Sequence, residues 1–289
     1  MDYSLLSLKF KSGNNILQIE GNSKYKILEI EGIESSDIEI NMADKVQSDG
    51  SMVVSKRILP RPIMVKIEYN GEDKDKQRKR VISFFNPKRT GTLYISYLEV
   101  TYAIEYEIEN FEAKLTNIYD PLVFTIDLIC PKAFLNSEYE NKQEIALWVG
   151  DFEFPLEIPQ NTEIEMGHRA PSLIVNVLNT GDVECGMRIV FKAIATLTNP
   201  SLFNVNTREY IKINKEMTAG ERITITTGFG NKRIVDSLNG VETNAFKYIE
   251  LGSTFLQLDV GDNLFRYDAD TGLDNLECEI YFTPQYLGV

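Results

Sequence analysis

His168 is the only histidine in the chain. It stands in Met166-Gly167-His168-Arg169-Ala170-Pro171, a stretch that reads as a loop. No Gly-x-Ser-x-Gly elbow exists to pair it with a nucleophile, and one histidine does not make a histidine-rich zinc site. The three cysteines, Cys130, Cys185 and Cys278, are far apart and form no Cys-x-x-Cys pair, so they read as buried or half-buried thiols and not as a disulfide framework or a zinc ribbon. Gly228-Phe229-Gly230-Asn231-Lys232-Arg233 opens like a dinucleotide loop but lacks the third glycine and lies between two strand-like segments, which suits a hairpin connection better. Asp268-Ala269-Asp270-Thr271-Gly272 starts like a calcium loop and lacks its remaining spacing and final glutamate. The carboxylates could house a glycosidase pair, but no two of them stand apart from ordinary surface acids. A hydrolase is therefore disfavoured: no catalytic, cofactor-binding or metal-ligating residue is assigned, no cofactor is expected, and the chain reads as a non-enzyme.

The elements that would position any site are β-strands. The chain has 289 residues, 43% apolar and 25% charged, which fits a folded protein of one large or two ordinary domains. No apolar run approaches the roughly 18 residues that span a bilayer. Met1-Asp2-Tyr3-Ser4 does not open like a secretory signal, so synthesis and retention in a cytosol are expected. The net charge is −13. Residues 1–135 carry 18 basic and 20 acidic side chains, residues 136–289 carry 12 and 23. That asymmetry supports two domains, 1–135 and 136–289, divided near Cys130-Pro131-Lys132-Ala133-Phe134. It also opposes tight sequence-independent binding of DNA, whose affinity comes from lysine and arginine neutralising phosphates.

A period of two dominates. From Glu99 to Glu112, Val100, Tyr102, Ile104, Tyr106 and Ile108 share one face, and Glu99, Thr101, Ala103, Glu105, Glu107 and Glu109 share the other. Further strands are expected at 26–30, 37–41, 63–69, 92–96 and 123–128. In the second half they are expected at 145–149, 152–156, 173–176, 187–192, 209–213, 222–226, 233–236, 255–258, 263–267 and 276–282. One segment departs from this period. Residues 72–85 hold no glycine or proline, place acids before bases, and set Val81, Phe84 and Phe85 at helical spacing before Asn86-Pro87. A helix over roughly 74–85 is expected, with Arg78, Lys79 and Arg80 in the one basic block.

Several landmarks in order resemble the distal tail protein of long non-contractile-tailed bacteriophages. They include Gly32-Ile33 with Ser35-Ser36-Asp37-Ile38, Arg57-Ile58-Leu59-Pro60-Arg61, Phe84-Phe85-Asn86-Pro87, Gly91-Thr92-Leu93-Tyr94 and Cys130-Pro131-Lys132-Ala133-Phe134. In the second half, Asn199-Pro200-Ser201-Leu202, Ala219-Gly220-Glu221-Arg222 and Phe255-Leu256-Gln257-Leu258 follow the same pattern. The chain departs from that pattern in lacking a glycine near Tyr106. The resemblance implies a mainly β fold: an N-terminal β-sandwich-like domain with one short helix that forms a homo-hexameric ring, and a C-terminal galectin-like β-sandwich projecting outward. It implies a hub in the virion tail that joins the tail tube protein to a tail-associated lysin or tip protein, with receptor-binding or baseplate proteins docked outside. Tape-measure protein and DNA would pass through its channel without specific binding, and no membrane is involved. Glu105, Glu107 and Glu109 are candidate channel residues, and Arg78, Lys79 and Arg80 candidate interface residues. The runner-up is a carbohydrate-binding host-adhesion module. The galectin sugar motif fails here, since His168 is followed by Arg169-Ala170-Pro171 and Trp148 by Val149-Gly150-Asp151.

Overall fold

The computed structural model describes residues 3–20, 24–45, 48–114, 120–145, 148–150, 167–169 and 174–289. The chain divides into two compact units, Met1–Glu138 with Gln285–Val289, and Tyr139–Pro284. The expected division at 135/136 therefore moves to 138/139, and the last five residues return to the first unit.

The first unit contains β1 (Leu6–Ser12), β2 (Asn15–Ile19), β3 (Tyr25–Glu31), β4 (Ile38–Asp44), β5 (Ser51–Ile58), β6 (Arg61–Tyr69), α1 (Lys74–Phe84), β7 (Gly91–Tyr97), β8 (Val100–Lys114), β9 (Leu122–Cys130) and β10 (Leu135–Ser137). All pairings are antiparallel, in the order β2-β1-β7-β8-β9-β6-β3. β10 joins β8 and the closing strand Gln285–Tyr286, which is why the chain past Pro131 still belongs here. Alternate residues of β1, β6, β7 and β9 are buried, so Phe10, Val65, Ile95 and Ile126 meet in one core. α1 closes one end of it. Phe85, just past the helix, lies edge-on to Phe10 at 5.2 Å and stacks on Phe111 at 5.4 Å.

β8 differs from its expected regularity in two places. Leu98 and Glu99 form the two-residue turn from β7, both at positive φ, so Glu99 is a turn residue and not part of the strand face. Farther along, the register with β9 slips between Ile108 and Asn110. Glu109 is the extra residue of a β-bulge, and the inward phase passes from Ile104, Tyr106 and Ile108 to Phe111 and Ala113.

Gly91 pairs with Tyr106, and a Cβ on Gly91 would lie 2.3 Å from the tyrosine Cζ, a clash with the ring. Overpacking of this kind costs about 1–3 kcal/mol. G91A is expected to lower unfolding stability by about 2 kcal/mol, and G91A/Y106L to recover most of the loss in urea titrations. A G91A protein as stable as the parent would contradict this packing.

The second unit contains β11 (Asn141–Glu144), β12 (Trp148–Gly150), β13 (Gly167–Arg169), β14 (Ile174–Asn179), β15 (Cys185–Ala193), β16 (Leu197–Thr198), β17 (Ser201–Asn204), β18 (Tyr210–Lys212), β19 (Glu216–Met217), β20 (Arg222–Thr226), β21 (Arg233–Leu238), β22 (Val241–Asn244), β23 (Gln257–Leu258), β24 (Gly261–Asp268) and β25 (Leu276–Phe282). One sheet runs β11-β25-β15-β20-β21-β22 and another β14-β24-β17-β18. Their inward rows, among them Ile189 and Phe191 on β15, Ile280 on β25, Leu202 on β17 and Phe265 on β24, form a second core. The fold is thus mainly β, with one α-helix among the described residues. The expected strand at 145–149 is not continuous: Ile145 lies outside any strand and is buried, its N–H donating to the Cys278 carbonyl at 2.9 Å. The expected strand at 152–156 lies outside the described residues.

Candidate channel and interface surfaces

Glu105 and Glu107 occupy the outward phase of β8, as alternation requires. They line an open cavity of about 490 Å³ with Lys11, Thr92, Tyr94 and Pro131. The face is not purely acidic. Lys11, Thr92 and Glu105 form one row across β1, β7 and β8. Lys132 reaches Glu105 at 3.0 Å, and Lys9 reaches Glu138 at 3.5 Å while lying 4.3 Å from the centre of the Tyr94 ring. Such exposed pairs contribute little stability; their effect is to leave a surface of alternating sign. Glu109, displaced by the bulge, does not continue the Glu105–Glu107 row.

Arg78, Lys79 and Arg80 are exposed on α1. Arg78 Nε donates to the Ala113 carbonyl at 3.3 Å. Arg80 instead lines a cavity of about 290 Å³ with Arg89, Asn15, Ile16, Ser83 and Asn86. The basic block is therefore split between the end of β8 and the β2 side.

Among the described residues, β4 and β5 pair only with each other, as a two-stranded sheet. Ile38, Ile40 and Met42 lie on one face with Ile58, Lys56 and Val53 opposite them. Ile40, Met42 and Val53 are 46%, 65% and 60% exposed. The other face is polar: Arg57 pairs with Glu39 at 2.5 Å, and Asn41 Nδ2 donates to Ser55 Oγ at 3.0 Å. Apart from Lys56, this face of the hairpin is hydrophobic and exposed in its own unit.

Arg61 was legible only as a landmark residue, and its role was missed. It is fully buried at the start of β6. Its Nε donates to Ser36 Oγ and the Ala133 carbonyl, both at 3.0 Å; Nη1 donates to the Ile33 carbonyl at 3.1 Å and the Gly32 carbonyl at 3.4 Å; Nη2 donates to the Leu287 carbonyl. Burial lowers its pKa from the usual arginine value. Gly32 sits at φ +85° against the Pro62 carbonyl, where a side chain has no room. Three of the sequence landmarks thus converge on one guanidinium.

Several of the residues considered for chemistry make structural contacts. All three cysteines are buried and none forms a disulfide, and burial pushes Cys130 up to about 12 and Cys185 to about 11. The Asp270 carboxylate accepts from Lys212 and Asn199, each at 2.8 Å, and these bonds lower its pKa. Residues 227–232 join β20 to β21 as a hairpin connection. His168 is in a strand and not a loop: β13 pairs with β12, setting Val149 opposite His168 and Trp148 opposite Arg169. Lys215 is held between Glu221 and Asp236, the latter at 2.5 Å. Burial raises the Glu221 pKa, but the bonds from Lys215 and Thr218 outweigh it and the net shift is downward.

The chain is thus two antiparallel β units, the first bearing a helix and a hairpin that pairs with no other strand among the described residues. Residues 180–286 match the family described as siphovirus-type tail component, C-terminal domain. The crystal structure of Dit (gp 19.1) of phage SPP1, described as a paradigm of the hub adsorption apparatus in phages infecting Gram-positive hosts, aligns over 97% of this chain and 99% of that one, with a TM-score of 0.68 and 14% identity. A chain of the phage P2 baseplate in its activated, calcium-containing conformation aligns over 96% and 98%, with a TM-score of 0.52 and 10% identity. The strontium-containing baseplate gives 96% and 97%, with a TM-score of 0.51 and 12% identity. No curated protein matches the sequence.

Proposed function

We propose that this chain is the structural hub at the distal end of a non-contractile phage tail, joining tube to tip and performing no catalysis. The observation that carries this reading is the alignment with SPP1 Dit across both units and nearly the full length of each chain. The first unit assembles into a hexameric ring, and the second unit, Tyr139–Pro284, forms an outer platform for baseplate or receptor-binding proteins. A closed ring needs two different patches on each subunit, and the β4–β5 hydrophobic face supplies one of them. Arg78–Arg80 contribute to the contact, and Glu105 and Glu107 face the bore. A net charge of −13 keeps DNA moving through such a channel, because few fixed cations are available to hold its phosphates.

Antibody labelling of intact particles tests this. Label confined to the tail end, with six-fold rings of the purified chain in negative stain, is expected. Label along the tube or on the head would overturn the assignment.

A further inference from the structure

We infer that the second unit carries an anionic-glycan site on the outer face of β21 and β22. Pairing of Val235 with Asn244 and of Ser237 with Glu242 sets Arg233, Val235, Glu242 and Asn244 on one face. With Lys232 and Phe246 they line an open groove of about 350 Å³, the lower end of the usual range of roughly 300–1,000 Å³ for small-ligand sites.

One wall is aromatic. Phe246, 45% exposed, stacks on Phe255 with ring centres 5.9 Å apart. Lys232 Nζ lies 5.1 Å from the Phe255 ring centre and 5.7 Å from that of Phe229, which is 79% exposed. The lysine thus bridges the two phenylalanines within cation–π range. A flat apolar wall beside a floor of guanidinium, carboxylate and amide groups suits a pyranose ring, which presents an apolar C–H face and hydroxyls at its edge. Among the described residues, none forms an ion pair with Lys232, Arg233 or Glu242, so these groups are available to a ligand. Asn244 uses its carbonyl oxygen on the Phe246 N–H at 2.9 Å and keeps its NH2 group as a donor.

Charge selects the kind of sugar. Residues 136–289 hold 12 basic and 23 acidic side chains, yet two bases and one acid line this groove. Arg233 is suited to a bidentate grip on a carboxylate or phosphate. An uncharged glycan would leave that local excess of cation unused.

The test is calorimetric titration of the full chain with tetragalacturonate and with maltotetraose. The acidic tetramer is expected to bind at least about ten-fold tighter, which corresponds to about 1.4 kcal/mol, and to weaken with added salt. R233E is expected to abolish binding. F246A, and independently the exposed F229A, should weaken it at least several-fold, with thermal unfolding unchanged in F229A. Equal affinity for maltotetraose, no binding of either sugar, or unaltered affinity in the variants would overturn the site. Hexaglutamate binding as tightly as tetragalacturonate would also overturn it, in favour of a protein-docking face. None of these outcomes depends on ring formation, so the hub reading stands or falls separately.

Discussion

R61M should destabilise the first unit by about 2–5 kcal/mol, the cost expected when several buried acceptors lose one shared donor. Methionine fills a similar length and donates nothing. Four backbone carbonyls, those of Gly32, Ile33, Ala133 and Leu287, and the Ser36 hydroxyl would each lose a donor. Each group left unsatisfied costs about 1–3 kcal/mol before relaxation. R61K should fall between parent and R61M, because an ammonium keeps the charge but cannot fork to partners spread over several segments. Urea unfolding reads the effect as a lower midpoint at unchanged slope. The C-terminal residues should also lose hydrogen-exchange protection, since Leu287 is tied down by this guanidinium and Val289 N–H by the Ile33 carbonyl at 3.1 Å. A loss below about 1 kcal/mol would show that the carbonyls find other partners and that Arg61 is not the staple.

Arg61 also shows where sequence reading stops. Ile63, Val65, Ile67 and Tyr69 set the inward phase of β6, and Arg61 falls on that same phase two residues earlier. Alternation alone therefore aimed the arginine inward. Its acceptors lie 25 to 226 residues away along the chain, and pattern in one segment says nothing about such partners. The helix was legible because Val81, Phe84 and Phe85 carry its packing stripe locally, and it runs Lys74–Phe84 as expected to within a residue. The β8 alternation was legible up to Ile108. The bulge was not, because Glu109 looks like one more outward acid until the partner strand is in view. β1 was passed over although Leu6, Leu8 and Phe10 alternate cleanly. Short strands such as β17 and β22 offer too few residues for a period to emerge. The groove beside Phe246 was invisible for another reason: its walls come from a turn, two strands and a short helical turn that only the fold assembles.

The β4–β5 hairpin yields the second large effect. The sequence suggests a strand at 37–41, and the alternation of Ile38 and Ile40 with polar residues usually marks a core face. Here Ile38, Ile40 and Met42 are 52%, 46% and 65% exposed. Periodicity reports that a face is apolar, not which molecule covers it. A two-stranded hairpin is marginal in water on its own, and an uncovered apolar hairpin invites uncontrolled association. Burial against a neighbouring subunit resolves both difficulties. I40E/M42E should therefore leave the monomer fold intact, since exposed substitutions usually change stability by no more than about 0.5 kcal/mol. Assembly should weaken by at least about 100-fold, because two carboxylates would have to be desolvated opposite apolar groups, at a cost of several kcal/mol. S55D, on the polar face of the same hairpin, is the control and should assemble nearly as the parent does. Light scattering across a concentration series, with tail tube protein present as a template, measures the difference. If I40E/M42E forms rings at the parent's concentration, the hydrophobic face is not the contact and another patch closes the ring. If S55D fails as well, the hairpin acts through its overall conformation and not through its apolar side. Loss in I40E/M42E alone assigns the contact to the face carrying Ile40 and Met42.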